Sequence, residues 1–171
     1  MEQMENNSDR KPHLFIVDDE PANIKMLSVG LRDDYEISVA VDGQEAVDAI
    51  SKAAASIDLI LLDVNMPGLS GYIVCSALKR MKQTKHIPVI FITARNTVES
   101  EEKGLDLGAV DYITKPFSMP IVQARVRTHV MLKSHIDLLR KLVSEQSSKV
   151  RKYETEYKRL LDFPNDDDSN D

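Results

Sequence analysis

From His13 onward, short apolar runs of strand length alternate with stretches patterned at helical spacing. The runs cover residues 13–17, 35–40, 59–62, 88–92 and 111–114. Their near-continuous apolar character predicts a parallel sheet covered on both faces. The second run, EISVAV, is half alternating and suits an edge strand. The stretches between the runs read as helices. The first opens at Asp19-Glu20-Pro21, where an acidic residue can cap free N–H groups and Pro suits the first turn. Its core face carries Ile24, Leu27 and Leu31. The second follows Asp42-Gly43, with Ala46, Val47 and Ile50 inward. The third follows Gly68-Leu69-Ser70-Gly71, with Val74, Ala77, Leu78 and Met81 inward. The fourth spans roughly 97–107 and is poorer in apolar residues, with Val98 and Leu105.

After Pro120 the pattern changes. Residues 121–161 contain neither Pro nor Gly, and the stretch from 120 to 161 predicts one helix, about 60 Å long at 1.5 Å per residue. Its first part can cover the sheet. Its second part carries a heptad seam: Leu132, Ile136, Leu139, Val143, Gln146, Val150, Tyr153, Tyr157 and Leu160. All but Gln146 are apolar or aromatic. β-Branched Ile136, Val143 and Val150 share one seam position, while Leu132, Leu139 and Leu160 share the other, an arrangement that favours parallel two-stranded coiled coils. Gln146 would fix register, and Lys149 and Glu154 flank the seam where they can pair between chains. The stripe outruns the α/β domain, so a homodimer is expected. The alternative is an amphipathic helix packed on its own domain.

The candidate chemistry lies at the strand ends. Asp18 and Asp19 follow the first run, Asp63 the third, Thr93 the fourth and Lys115 the fifth. In an open parallel sheet these ends converge on one edge, where ligands bind. An aspartate there can attack phosphorus to form an acyl phosphate. Two unit charges ~4 Å apart repel by about 4 kcal/mol at an effective dielectric of ~20, so clustered carboxylates call for a cation. Oxygen ligands suit Mg²⁺. Lys115 can pair with a phosphate oxygen and Thr93 can hydrogen-bond another. The loop 64–71 offers backbone groups to metal and phosphate.

Composition narrows the field. The 171 residues carry a net charge of −6, which argues against direct DNA binding. A single cysteine, Cys75, excludes an intrachain disulfide and reads as a packing residue. His13, His86, His129 and His135 have no metal-like spacing. No signal peptide or membrane-length apolar stretch is visible, so a cytoplasmic protein with no membrane association is expected.

The motifs FIVDDEP, LILLDVNMPGLSGY, VIFITA and DYITKPF together resemble the receiver domain of bacterial two-component response regulators. The resemblance implies an α/β fold, a doubly wound five-stranded parallel sheet of flavodoxin-like order 2-1-3-4-5. It implies phosphorylation of Asp63 by a histidine kinase or phosphotransfer protein. It also implies Mg²⁺ held by Asp18, Asp19, Asp63 and the Asn65 backbone carbonyl. Thr93 and Lys115 would sense the phosphate, Tyr112 would be the aromatic switch, and Lys115-Pro116 would be a cis peptide. The expected organisation is a disordered lead (1–11), a receiver domain (12–133), a helical or coiled-coil extension (134–162) and a disordered acidic tail (163–171).

Three rivals define the limits. Phosphatases of the haloacid-dehalogenase type also use a strand-end Asp with Mg²⁺, but need a general acid two residues later, where this chain has Asn65. An inert dimerisation scaffold would have no use for the five strand-end residues. Finally, KPFSMPIVQARVRTHVMLK resembles the junction to HD-GYP phosphodiesterase or GGDEF cyclase domains, so the chain can also be read as a receiver fragment of a larger cyclic-di-GMP regulator.

Overall fold

The computed structural model describes residues 10–94 and 98–161, with the side chains of 98–101 and 160–161 excepted. Residues 1–9, Arg95, the Leu160 side chain and the acidic tail therefore lie outside the described residues. The chain divides into two compact units, one ending at Lys133 and one beginning at Ser134.

The first unit alternates strand and helix: β1 (His13–Val17), α1 (Pro21–Leu31), β2 (Glu36–Ala40), α2 (Gly43–Ala53), β3 (Leu59–Asp63), α3 (Gly71–Arg80), β4 (Val89–Thr93), α4 (Val98–Asp106), β5 (Asp111–Thr114) and α5 (Met119–Leu161). α5 continues into the second unit. The strands form one parallel sheet in the order β2-β1-β3-β4-β5, the doubly wound arrangement expected. β2 lies at an edge, which explains its mixed polarity.

Successive residues along a strand point to opposite faces. Leu14, Ile16, Leu59, Leu61, Ile90 and Ile92 pack with Leu27 and Leu31 of α1 and with Val122 and Val126 of α5. Phe15, Val17, Ile60, Leu62 and Phe91 pack with Ala46 and Ile50 of α2 and with Val74 and Leu78 of α3. Both faces are covered, so the three central strands β1, β3 and β4 are buried along their whole length.

Helix starts follow local chemistry. The Asp42 side chain accepts from the Glu45 N–H at 2.8 Å, and the Glu45 carboxylate accepts from the Val41 N–H at 3.0 Å. This reciprocal pair satisfies donors that a helix end leaves free. At α1 the expected acidic cap takes another form. Glu20 is the N-cap residue but makes no side-chain cap bond. Asp18 Oδ1 instead accepts from the Glu20 N–H at 2.9 Å, tying the pocket to the helix start.

Two local expectations are corrected, for Met81 and for residues 10 and 11. Met81 lies just past α3 in extended backbone rather than on its inner face. Leu105 is exposed, and α4 approaches the sheet through buried Gly104, where a Cβ would sit 3.0 Å from the Phe91 ring. Residues 10 and 11, assigned to the disordered lead, are anchored. The Arg10 guanidinium pairs with Asp58 at 2.9 Å, and Lys11 Nζ donates to the Asp33 carbonyl at 2.7 Å.

Gly71 holds α3 against the end of β3. A Cβ there would sit 2.2 Å from the Asp63 carbonyl oxygen, too close for any side chain. Gly71→Ala must displace that backbone, at a cost of roughly 1–3 kcal/mol. The expected result is a lower urea midpoint with an unchanged slope in equilibrium unfolding.

Candidate functional site

Sheet register sets the site. Asp63 pairs with Ile92 and Thr93 with Thr114, so Asp63, Thr93 and Lys115 step across the carboxyl edge of three adjacent strands. The Lys115 N–H donates to the Thr93 carbonyl at 2.8 Å, fixing the start of the β5–α5 connection. The Lys115-Pro116 peptide is cis, as the resemblance implied.

The carboxylates of Asp18, Asp19 and Asp63 offer one oxygen each within 4.8 Å of one another. Asp18 and Asp63 are buried, and Asp19 is half-buried. Lys115 Nζ reaches between the buried pair, 2.8 Å from Asp18 Oδ2 and 3.3 Å from Asp63 Oδ1. The lysine thus sits closer to the first-strand carboxylate than to Asp63. Asp63 Oδ1 is buried and accepts no well-aligned hydrogen bond. Thr93 is fully buried, and its Oγ1 accepts from Asn65 Nδ2 at 3.2 Å. Tyr112 packs against the α2–α3 face of the core with its hydroxyl buried.

One residue at the site escaped the sequence reading. Asn23 Nδ2 lies 3.1 Å from both oxygens of Asp18 and 3.2 Å from Glu20 Oε2. Its signal in sequence is faint, an amide in the first turn after the acidic pair.

Burial pushes the Asp63 carboxyl up from the ordinary range; the Lys115 charge opposes this and the Asp18 charge adds to it. For Lys115, burial disfavours the ammonium, but the Asp18 hydrogen bond and the Asp63 and Asp18 charges outweigh it and the pKa rises. Three carboxylates therefore face one ammonium among the described residues, and one buried carboxylate oxygen lacks a good donor. Such a donor set fits a divalent cation with hard-oxygen preference.

The raised Asp63 pKa has a consequence for stability. A group that binds its proton more tightly when folded stabilises the fold fully below its unfolded pKa. That contribution is lost as pH rises through the ordinary carboxylate range to the elevated folded value. Asp63→Asn removes the ionised form. In Mg²⁺-free buffer near neutral pH the variant is expected to melt a few degrees higher than wild type, with the gap closing under acid conditions. Thermal denaturation across pH checks this.

Residues 14–127 match the family model of the response regulator receiver domain, and the chain belongs to that family. A receiver domain is a phosphoacceptor module of two-component signalling that works with histidine kinases or phosphotransfer proteins and binds Mg²⁺ at an acidic pocket. The chain is 45% identical over 126 residues to a probable cyclic di-GMP phosphodiesterase of Vibrio cholerae, and 43% identical over 129 residues to the response regulator PleD of Caulobacter vibrioides. Each alignment covers 74% of this chain but 28% of the relative, so the chain spans little more than a quarter of either protein's length. Among solved structures, the chemotaxis protein CheY4 of Vibrio cholerae superposes with a TM-score of 0.65 at 30% identity, covering 68% of this chain and 97% of that one. No helix among the described residues is long and apolar enough to cross a membrane.

Proposed function

We propose that Asp63 is the phosphoacceptor of this receiver, with Mg²⁺ held by Asp18, Asp19, Asp63 and the Asn65 backbone carbonyl. The observation that carries the reading is the convergence of three carboxylates on Lys115 at the carboxyl edge of the sheet. An Asp63 oxygen attacks phosphorus of a phosphohistidine on a kinase or phosphotransfer protein. The P–N bond breaks, and its electron pair returns to the imidazole. Bound Mg²⁺ would offset the charge of the carboxylates and of the incoming phosphoryl oxygens.

The residues of this chain do the rest. Lys115 already lies 3.3 Å from Asp63 and pairs with a phosphoryl oxygen, loosening its hold on Asp18. Thr93 donates its hydroxyl hydrogen to a second phosphoryl oxygen. That draws it from Asn65, and Tyr112 repacks beside it. The new dianion and its three acceptors supply the energy for the change. The hydrolase reading lacks support, because Asn65 cannot act as the general acid that a phosphatase would need.

The output runs through α5. In the second unit Ile136, Leu139, Val143, Val150, Tyr153 and Tyr157 are all exposed, Val143 at 66% and Tyr153 at 68%. Six large apolar or aromatic side chains on one seam support a parallel homodimer through this helix. A second reading treats the chain as part of a larger cyclic-di-GMP regulator. The name of the Vibrio cholerae relative and the small share of both relatives' length that is matched favour it.

Incubation with Mg²⁺ and a small acyl phosphate, followed by intact-mass measurement, tests the core proposal. A gain of one phosphoryl group that disappears with a chelator is expected. An unchanged mass under all conditions would overturn it.

A further inference from the structure

We infer that Asn23 is a positioning residue of this site, fixing the Asp18 carboxylate in the orientation in which it meets Mg²⁺. The inference rests on the reading of Asp18 as a metal ligand.

A carboxylate has about four lone-pair sites. Three groups share those of Asp18. The Glu20 N–H donates to Oδ1 at 2.9 Å, and Lys115 Nζ donates to Oδ2 at 2.8 Å. Asn23 Nδ2 lies 3.1 Å from both oxygens and so bisects them. The three donors do different jobs. The Glu20 amide restrains one oxygen only. Lys115 restrains the other, but it also reaches Asp63 and is called away when a phosphoryl oxygen arrives. Once Lys115 moves, the Asn23 amide alone, of these three, touches both oxygens and resists rotation of the carboxylate about its Cβ–Cγ bond.

Asn23 is itself braced for this task. Its backbone N–H donates to the Glu20 carbonyl at 3.0 Å in the first turn of α1, directly after Pro21 and Ala22. Its side-chain amide also lies 3.2 Å from Glu20 Oε2. The amide thus donates to carboxylates, whereas capping the helix start would require a side-chain oxygen accepting from free N–H groups, which separates positioning from helix capping. The charge also fits. A neutral donor orients Asp18 without cancelling the negative charge that attracts the cation, as a second lysine would. An aspartate at 23 would have no hydrogen to donate and would add repulsion.

Groups that orient a ligand without touching the metal typically change affinity 10- to 100-fold when removed. The test is a Mg²⁺ titration of wild type, Asn23→Ala and Asn23→Leu, followed by backbone amide shifts of residues 18–20, 22, 23 and 63, with metal-free melting curves alongside. The leucine variant keeps the bulk of the side chain and guards against a fold lost through truncation. Both variants should melt cooperatively without metal yet bind Mg²⁺ about 10-fold more weakly than wild type. If wild type binds Mg²⁺ and a folded variant binds within twofold of it, the role of Asn23 is overturned while the metal reading stands. If wild type itself shows no Mg²⁺-dependent shifts at these residues, both fall together.

Discussion

Asp63→Asn takes up no phosphoryl group from a small acyl phosphate in the presence of Mg²⁺, while wild type gains one. Loss below detection in an intact-mass assay is the expected size of the effect. The substitution keeps the shape of the side chain and replaces the attacking carboxylate oxygen by an amide oxygen, a poor nucleophile. It leaves Asp18, Asp19, Thr93 and Lys115 in place, so the result isolates the nucleophile from the rest of the pocket. A folding defect is not a rival explanation, because the variant should be the more stable protein at neutral pH. Burial already disfavours the ionised Asp63 carboxylate, and the amide removes that penalty. Uptake by Asp63→Asn at the wild-type rate would move the acceptor elsewhere.

Val143→Asp is expected to convert the proposed dimer into a monomer. In a parallel coiled coil the two Val143 side chains face each other across the seam. Each contributes about 1.5–3 kcal/mol when fully buried. The variant replaces that contact by two carboxylates. At ~4 Å and an effective dielectric of ~20 they repel by about 4 kcal/mol. Repulsion alone is worth nearly a thousandfold in dissociation constant. Sedimentation velocity should find wild type as a dimer and Val143→Asp as a monomer. A wild-type monomer at tens of micromolar would remove the coiled coil from the account. The exposed seam from Ile136 to Tyr157 would then need another cover.

Much of the fold was legible because a buried parallel sheet leaves a plain record. The strands covered on both faces are continuous apolar runs, and Leu27, Leu31, Ile50 and Leu78 mark the inner faces of their helices. The sequence says least where packing does not use apolar side chains. α4 meets Phe91 through Gly104, and the absence of a side chain leaves no hydrophobic mark. Arg10 and Lys11 are held by an ion pair and a carbonyl from distant segments, which a local composition reading cannot foresee.

The site was legible for a related reason. Each of Asp18, Asp19, Asp63, Thr93 and Lys115 ends or follows a strand, and strand ends converge by topology rather than by side-chain detail. What the sequence hid was the wiring between them. Lys115 rests more closely on Asp18 than on Asp63, a matter of side-chain placement that strand order does not fix. Asn23 binds both oxygens of Asp18 because α1 starts just beside the pocket. Asn65 bonds to Thr93, joining the β3–α3 loop to the hydroxyl proposed to sense the phosphate.

The central claim is that the phosphoryl group lands on Asp63. It is tested most directly in wild-type protein by trapping the acyl phosphate. Treatment of the phosphorylated chain with borohydride reduces an aspartyl phosphate to homoserine, and peptide mass spectrometry then locates the modified position. The account predicts homoserine at position 63 alone, formed only when Mg²⁺ and phosphodonor are both present. Reduction at Asp18 or Asp19, or an unmodified Asp63 in protein that has gained a phosphoryl group, would contradict it.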